Sequence, residues 1–195
     1  MFLFRIRLIF RVLFCLSFFI PLCLLPNPSF GKYASIIVEA ESGKIHHSVN
    51  ADTRNYPASL TKLMTLYLLF DALNRKKINM NTKLKVSRKA AIQPASKIGL
   101  SIGSSITVKN AINALIIKSA NDVATVVAEN LGKSEKRFAL IMTHKARKIG
   151  MKKTIFRNAS GLSHRAQMST ARDMATLANR IIKDFPQYYH LFSKT

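Results

Sequence analysis

The stretch YPASLTKLMTLYLLFDAL, Tyr56–Leu73, decides how the rest of the chain is read. Between Ser59 and Phe70 the only charged residue is Lys62, set in an otherwise apolar run. A lysine on a solvated helix face ordinarily has charged neighbours three or four positions away. This one has Ser59 on one side and Leu66 on the other, so the pattern predicts a helix whose lysine-bearing face is buried. Pro57 and Ser59 are helix-start residues, which places Ser59 at the helix N-terminus and Lys62 one turn on, within reach of it. Full burial lowers a lysine's pKa by about 3–5 units, which makes a neutral amine available to take the serine's proton. The helix N-terminus adds positive potential and free N–H groups beside any oxyanion formed there. The same four residues also have a plain reading, in which Ser59 caps the helix and Lys62 snorkels to solvent along its stem. S-x-x-K alone does not separate the two.

A second element bears on that choice. In IIKSANDVATVVAENLG, Ser119 ends one apolar helix and starts another, and Ser119-Ala120-Asn121 is an S-x-N that would bring a second hydroxyl and a carboxamide to the site. Ser119 also reads as a cap, in a capping box with Asp122.

The wider composition sets the frame. A chain of 195 residues that is 48% hydrophobic can bury one ordinary core, so a single domain is expected and disorder is not. Residues 1–31 read as a secretory signal: Arg5, Arg7 and Arg11 form a basic start, Val12 to Leu25 is almost wholly apolar, and Pro26-Asn27-Pro28 precedes small residues with cleavage near Gly31. The competing reading is an uncleaved anchor, for which the apolar stretch is short. Both cysteines, Cys15 and Cys23, fall in this segment, so residues 32–195 contain no disulfide, thiol nucleophile or thiolate metal site. Cys23 as a lipidation site is disfavoured by the bulk of Leu22. The net charge is +22, or +19 without the three arginines of the segment. The basic residues are spread from Lys32 to Lys194 without an aromatic-interleaved patch or zinc-finger spacing. That argues against nucleic acid and for attraction to anionic envelope polymers or a membrane surface.

Local patterning predicts α with a little β. Ala34 to Ala40 is rich in β-branched residues, Ser42-Gly43 is a turn signal, and Ile45 to Val49 pairs back as a hairpin. Helices are expected over the quoted stretch, from about Val108 to Lys118, from Asn121 to Leu131 with a stop at Gly132, over Ser134 to Ile149, and over Thr170 to Ile182 with Thr170-Ala171-Arg172-Asp173 as a capping box. The region around Val86 reads as polar with scattered turns. The five histidines, His46, His47, His144, His164 and His190, show no metal-ligand spacing, and no cofactor motif is present. Asn158-Ala159-Ser160 matches a glycosylation sequon by chance.

SLTK at 59–62 and SAN at 119–121, sixty positions apart, resemble the first two of the three motifs S-x-x-K, S-D-N and K-T-G of the serine penicillin-binding proteins and β-lactamases. Together with PASKIGLSIGSSITV, LIIKSANDVA, FRNASGL and STARDMATLANRII in the same order, they make residues 32–192 similar to the D-alanyl-D-alanine carboxypeptidases of peptidase family S11, the low-molecular-mass penicillin-binding proteins. The resemblance implies an α/β fold, the N-terminal part of the serine β-lactamase/penicillin-binding-protein-like transpeptidase fold, mostly helical with an N-terminal β-hairpin. It also implies Ser59 as the acyl-ester nucleophile, Lys62 as proton acceptor, Ser119 as proton relay and Asn121 as the residue holding the substrate's amide. The Ser59 N–H would be one oxyanion donor. Peptidoglycan stem peptides become the substrates, β-lactams the inhibitors, and no cofactor is needed.

Two departures stand beside these implications. No K-T-G follows, since the final Lys194-Thr195 has no glycine after it, so the expectation is a domain truncated before that motif, without the later sheet strands. The hairpin then has an exposed edge. Ser163-His164-Arg165 stands where relatives often have an acidic residue. The alternatives are a non-catalytic envelope protein that binds peptidoglycan or a partner, and a β-lactamase. The latter is disfavoured because no glutamate stands after S-A-N where a class A enzyme keeps its deacylating base; Asp173 is the first acid after Glu135.

Overall fold

The computed structural model describes residues 33–193. The segment that reads as a signal, residues 1–31 with Cys15 and Cys23, and the terminal Lys194-Thr195 lie outside the described residues.

The hairpin forms as its composition predicts, with β1 (Ser35–Val38) antiparallel to β2 (Ile45–Val49) and Ser35 opposite Val49. Gly43, at φ 76°, makes the turn that a side chain would strain. Ile37 and Ile45 remain exposed. The quoted stretch then becomes a short 3₁₀ turn, Ala58–Leu60, feeding α1 (Thr61–Asn74). Eleven of the fourteen residues of α1 are buried, Lys62 among them. A helix apolar on all sides is stable only at the centre of a core. Phe70 shows why this one stays there: its ring stacks on Tyr188 at 4.9 Å and meets Phe185 at 5.9 Å and Phe192 at 6.3 Å.

The region that reads as polar holds a second sheet. β3 (Lys83–Lys85) pairs antiparallel with β4 (Ser105–Thr107), and α2 (Arg88–Ala91) lies between them in sequence. Strands of three residues are too short to show a period, which is why the sequence does not announce them. Four longer helices follow as expected: α3 (Val108–Ile117), α4 (Asn121–Gly132), α5 (Glu135–Lys148) and α6 (Ala171–Asp184), with α7 (Pro186–Tyr189) and a 3₁₀ turn, His190–Ser193, behind them. The architecture is therefore the mostly helical one with an N-terminal hairpin.

Three local expectations change. α4 runs one residue past Leu131, through Gly132, and Lys133, at φ 65°, takes the left-handed position in place of Gly132. Gly132 is instead a packing glycine, since a Cβ there would lie 2.7 Å from the Phe138 Cβ. Thr170 caps α6 by accepting the Asp173 N–H at 3.1 Å, but the Asp173 carboxylate does not complete the box. It accepts from the Lys153 N–H at 2.9 Å and the Thr154 hydroxyl at 2.6 Å, tying to α6 the segment that leads into the Ile155–Met168 bridge. Likewise Ser119 and Asp122 form no capping box. Ala120 is the N-cap of α4, and the buried Asp122 carboxylate accepts from the amides of Ile98, Gly99, Leu100 and Val123. No helix among the described residues is long and apolar enough to cross a membrane.

Candidate active site

The 3₁₀ turn ahead of α1 holds Ser59 exposed at the mouth of a cleft of about 480 Å³, lined also by Leu60, Lys62, Leu115, Ser119 and Phe192. Three of the four residues singled out in the sequence thus meet in one place. Ala58, the residue before Ser59, has φ 45°, a left-handed conformation that costs a non-glycine residue of order 1–3 kcal/mol and concentrates at functional sites. Ser119 has φ 53° for the same kind of reason: the chain turns sharply between α3 and α4 and leaves its side chain on the cleft.

Lys62 is 3% exposed, and burial pushes its amine down from its ordinary 10.5 to about 8. Its Nζ donates to the Ser160 carbonyl at 2.6 Å. No direct hydrogen bond joins Ser59 to Lys62 among the described residues. The snorkelling reading is excluded, because the amine ends on a buried backbone carbonyl and not in solvent.

The loop that receives the amine, Asn158 to Leu162, is a part of the site to which the sequence assigns no role. Thr65, one turn after Lys62, donates to the Ala159 carbonyl at 2.7 Å. Asn158 folds the loop on itself, its Oδ1 accepting the Gly161 N–H at 2.7 Å. The Ala159 N–H donates to Glu135 at 3.3 Å, and the other oxygen of that carboxylate meets Lys89 at 2.7 Å. Gly161, at φ 88°, lies directly against the turn that carries Ser59: a Cβ there would be 1.8 Å from the Ala58 carbonyl oxygen. A small NxSGL string was the available signal, but a backbone carbonyl that acts across about a hundred positions leaves no mark in composition or spacing.

Asn121 is placed differently from the other three. It is 6% exposed and does not line the cleft. Its Nδ2 donates to the Pro94 carbonyl at 3.1 Å, and its backbone N–H donates to the Ser96 carbonyl at 2.7 Å. Its side-chain amide and its backbone N–H therefore hold the segment 94–96 against the start of α4. Taken together, the arrangement supplies an exposed hydroxyl on a strained turn, a buried amine of lowered pKa one turn below it, and a second hydroxyl across the cleft. Those are the parts that nucleophilic acyl transfer requires.

Comparison with known proteins gives the family. The chain belongs to the Peptidase S11 family, D-alanyl-D-alanine carboxypeptidase, whose family model matches residues 27–195. It is 37% identical over 150 residues to the D-alanyl-D-alanine carboxypeptidase DacF of Bacillus subtilis, a match covering 77% of this chain and 39% of that protein. The crystal structure of the D-alanyl-D-alanine carboxypeptidase DacD from Francisella tularensis superposes with a TM-score of 0.80 at 33% identity, over 82% of this chain and 38% of that one. Penicillin-binding protein D2 from Listeria monocytogenes, in its ampicillin-bound form, superposes with a TM-score of 0.73 at 28% identity, over 87% of this chain and 69% of that one. The chain thus spans well under half the length of the first two proteins.

Proposed function

We propose that this chain carries the nucleophile, base and proton relay of a serine-type D-Ala-D-Ala carboxypeptidase acting on peptidoglycan stem peptides. The observation that supports this best is Lys62, a buried amine held on the Ser160 carbonyl and lining the same cleft as Ser59 and Ser119. In the proposed reaction Ser59 Oγ attacks the carbonyl carbon of the penultimate D-alanine while its proton passes to Lys62 Nζ. The tetrahedral intermediate collapses with cleavage of the peptide bond, and the leaving D-alanine amine receives a proton through Ser119. Water then hydrolyses the Ser59 ester. Asn121, next to Ser119 at the start of α4, would hold the substrate's amide, with one side-chain N–H beyond the one given to Pro94 and its Oδ1 available for that contact. A β-lactam would acylate Ser59 by the same attack, in keeping with the ampicillin-bound relative. The basic, apolar N-terminal segment supports export to the cell envelope.

A second reading, a non-catalytic envelope protein of the same family, is favoured by the missing Ser59–Lys62 hydrogen bond. The pH dependence of acylation separates the two. The attacking form needs Lys62 neutral, so the rate of Ser59 acylation by benzylpenicillin should rise about tenfold per pH unit below the pKa of about 8 and level off above it. A non-catalytic chain shows no acylation at any pH. The same group affects stability with a definite sign. Between about pH 8 and 10.5 the unfolded chain still binds the proton that folded Lys62 has released. Stability should therefore grow as pH rises through that window, and fall away again as pH drops back through it toward 8.

A further inference from the structure

A short ladder of backbone hydrogen bonds ties together the two runs of chain that carry Ser59 and the carbonyl acceptor of Lys62. Residues Gln167 to Ser169 lie at its middle. On one side Ser169 exchanges both backbone bonds with Asn55, at 2.8 and 2.9 Å, four residues ahead of Ser59. On the other side Met168 exchanges both with Ile155, at 2.8 and 3.1 Å, five residues ahead of Ser160. The side chain of Gln167 extends this ladder toward the site. Gln167 is 2% exposed, and its Oε1 accepts from the backbone N–H groups of Arg157 at 2.9 Å and Asn158 at 3.1 Å. Its Nε2 lies 3.4 Å from Asn158 Oδ1, the atom that takes the Gly161 N–H at 2.7 Å. Asn158 Nδ2 in turn donates to the Leu162 carbonyl at 2.8 Å. Ser160, whose carbonyl receives Lys62 Nζ, stands inside the loop that these bonds close.

We infer that Gln167 is a positioning residue of the reaction: by holding the backbone of Arg157 and Asn158 it aims the Ser160 carbonyl at Lys62 and keeps the amine beneath the turn that carries Ser59. A buried side-chain amide is costly unless both its ends are bonded. Here both ends are spent on the one loop that receives the base. The two N–H groups that Gln167 takes up would otherwise be left unpaired at the start of that loop, so its loss releases the loop on the side of Asn158 while Thr65 still holds Ala159. Burial sets the lowered pKa of Lys62, and Gln167, Asn158 and Ser160 carry no charge. Replacing Gln167 by an apolar residue therefore alters geometry at the amine without altering charge. The inference rests on the reading of Ser59 and Lys62 as nucleophile and base.

Acylation of the full chain by benzylpenicillin at about pH 9, above the amine's pKa of about 8, reads the rate with Lys62 neutral. Gln167→Met should lower that rate by about 100-fold, the usual result of about 1 Å of misplacement. Gln167→Asn, one methylene short and the milder change should the methionine variant not fold, should lower it by about tenfold. Gln167→Glu should leave it within about threefold, because a carboxylate oxygen accepts from the same two N–H groups. Asn130→Leu is the comparison for stability alone. It removes side-chain bonds to the Lys85 N–H and carbonyl, at 3.0 and 2.9 Å, on a strand that does not line the cleft, so it should lower the melting temperature without slowing acylation. A second readout needs no turnover. The carbon-13 titration of Lys62 Cε, assigned by its absence from Lys62→Met, should have its midpoint near 8 and move lower in Gln167→Met, where the amine stays buried but loses the carbonyl that shares its charge. The inference is overturned by a folded Gln167→Met or Gln167→Asn chain that acylates at full rate, by Gln167→Glu as slow as Gln167→Met, or by Asn130→Leu slowed as much. A Lys62 midpoint that the Gln167 substitution leaves in place or raises overturns it too. If the unsubstituted chain takes no penicillin, the reading of Ser59 and Lys62 fails, and the Lys62 midpoint alone decides whether Gln167 places the amine.

Discussion

Lys62→Met should slow acylation of Ser59 by benzylpenicillin by about 10²–10⁴-fold, the contribution usual for a positioned proton acceptor. Methionine matches the length of the lysine stem and removes only the amine, so the apolar packing of α1 is kept. Two effects on stability oppose each other. The cost of burying an ammonium disappears, and the Ser160 carbonyl loses the donor now 2.6 Å from it. The melting temperature should therefore move by only about 5 °C or less, at 2–4 °C per kcal/mol for a chain of this size. Stopped-flow or mass-detected acylation beside a thermal melt checks both parts. A rate unchanged in a folded variant would remove Lys62 from the reaction.

Gly161→Ala should damage fold and site together. At φ 88° an alanine is strained in any surroundings, and here its Cβ would sit 1.8 Å from the Ala58 oxygen and 2.4 Å from the Ala58 carbonyl carbon. Backbone on both sides has no flexible end to give way, so the turn carrying Ser59 must move. A loss of roughly 3–5 kcal/mol is expected, seen as a melting temperature about 6–20 °C lower. Acylation should fall by about 100-fold even where the chain remains folded, because about 1 Å of misplacement costs that much. Gly103→Ala is the matched comparison. Its φ of 79° is similar, but nothing lies within 4 Å of the added Cβ, so it isolates conformational strain from the contact. Equal effects at the two positions would show that the Gly161–Ala58 contact does not matter.

Much of the site is legible because it is written in local patterns. A lone lysine in an apolar helix, one turn after a serine, predicts burial, and Lys62 is buried. Ser119, at the break between two apolar helices, has to project from a sharp turn, and it reaches the same cleft. The hairpin and the Thr170 cap follow from β-branched residues and from hydroxyl chemistry at a helix start. The parts that are not legible depend on distant partners. Asp122 and Asp173 each stand three residues after a hydroxyl, as a capping box demands, yet their carboxylates hold the amides of segments about twenty residues away. Gly132 looks like a helix stop and is a contact with Phe138. The Ser160 carbonyl that anchors Lys62 belongs to the backbone, so no residue type announces it. Asn121 reads as a substrate ligand, but one of its side-chain N–H groups goes to the Pro94 carbonyl and the residue does not line the cleft that holds Ser59, Lys62 and Ser119.

The measurement that tests the central claim most directly is the intact mass of the purified, folded chain after incubation with benzylpenicillin, with Ser59→Ala alongside. The account predicts one stable adduct of one β-lactam per chain, absent from Ser59→Ala. A folded chain that forms no adduct, or an adduct that persists in Ser59→Ala, would contradict it.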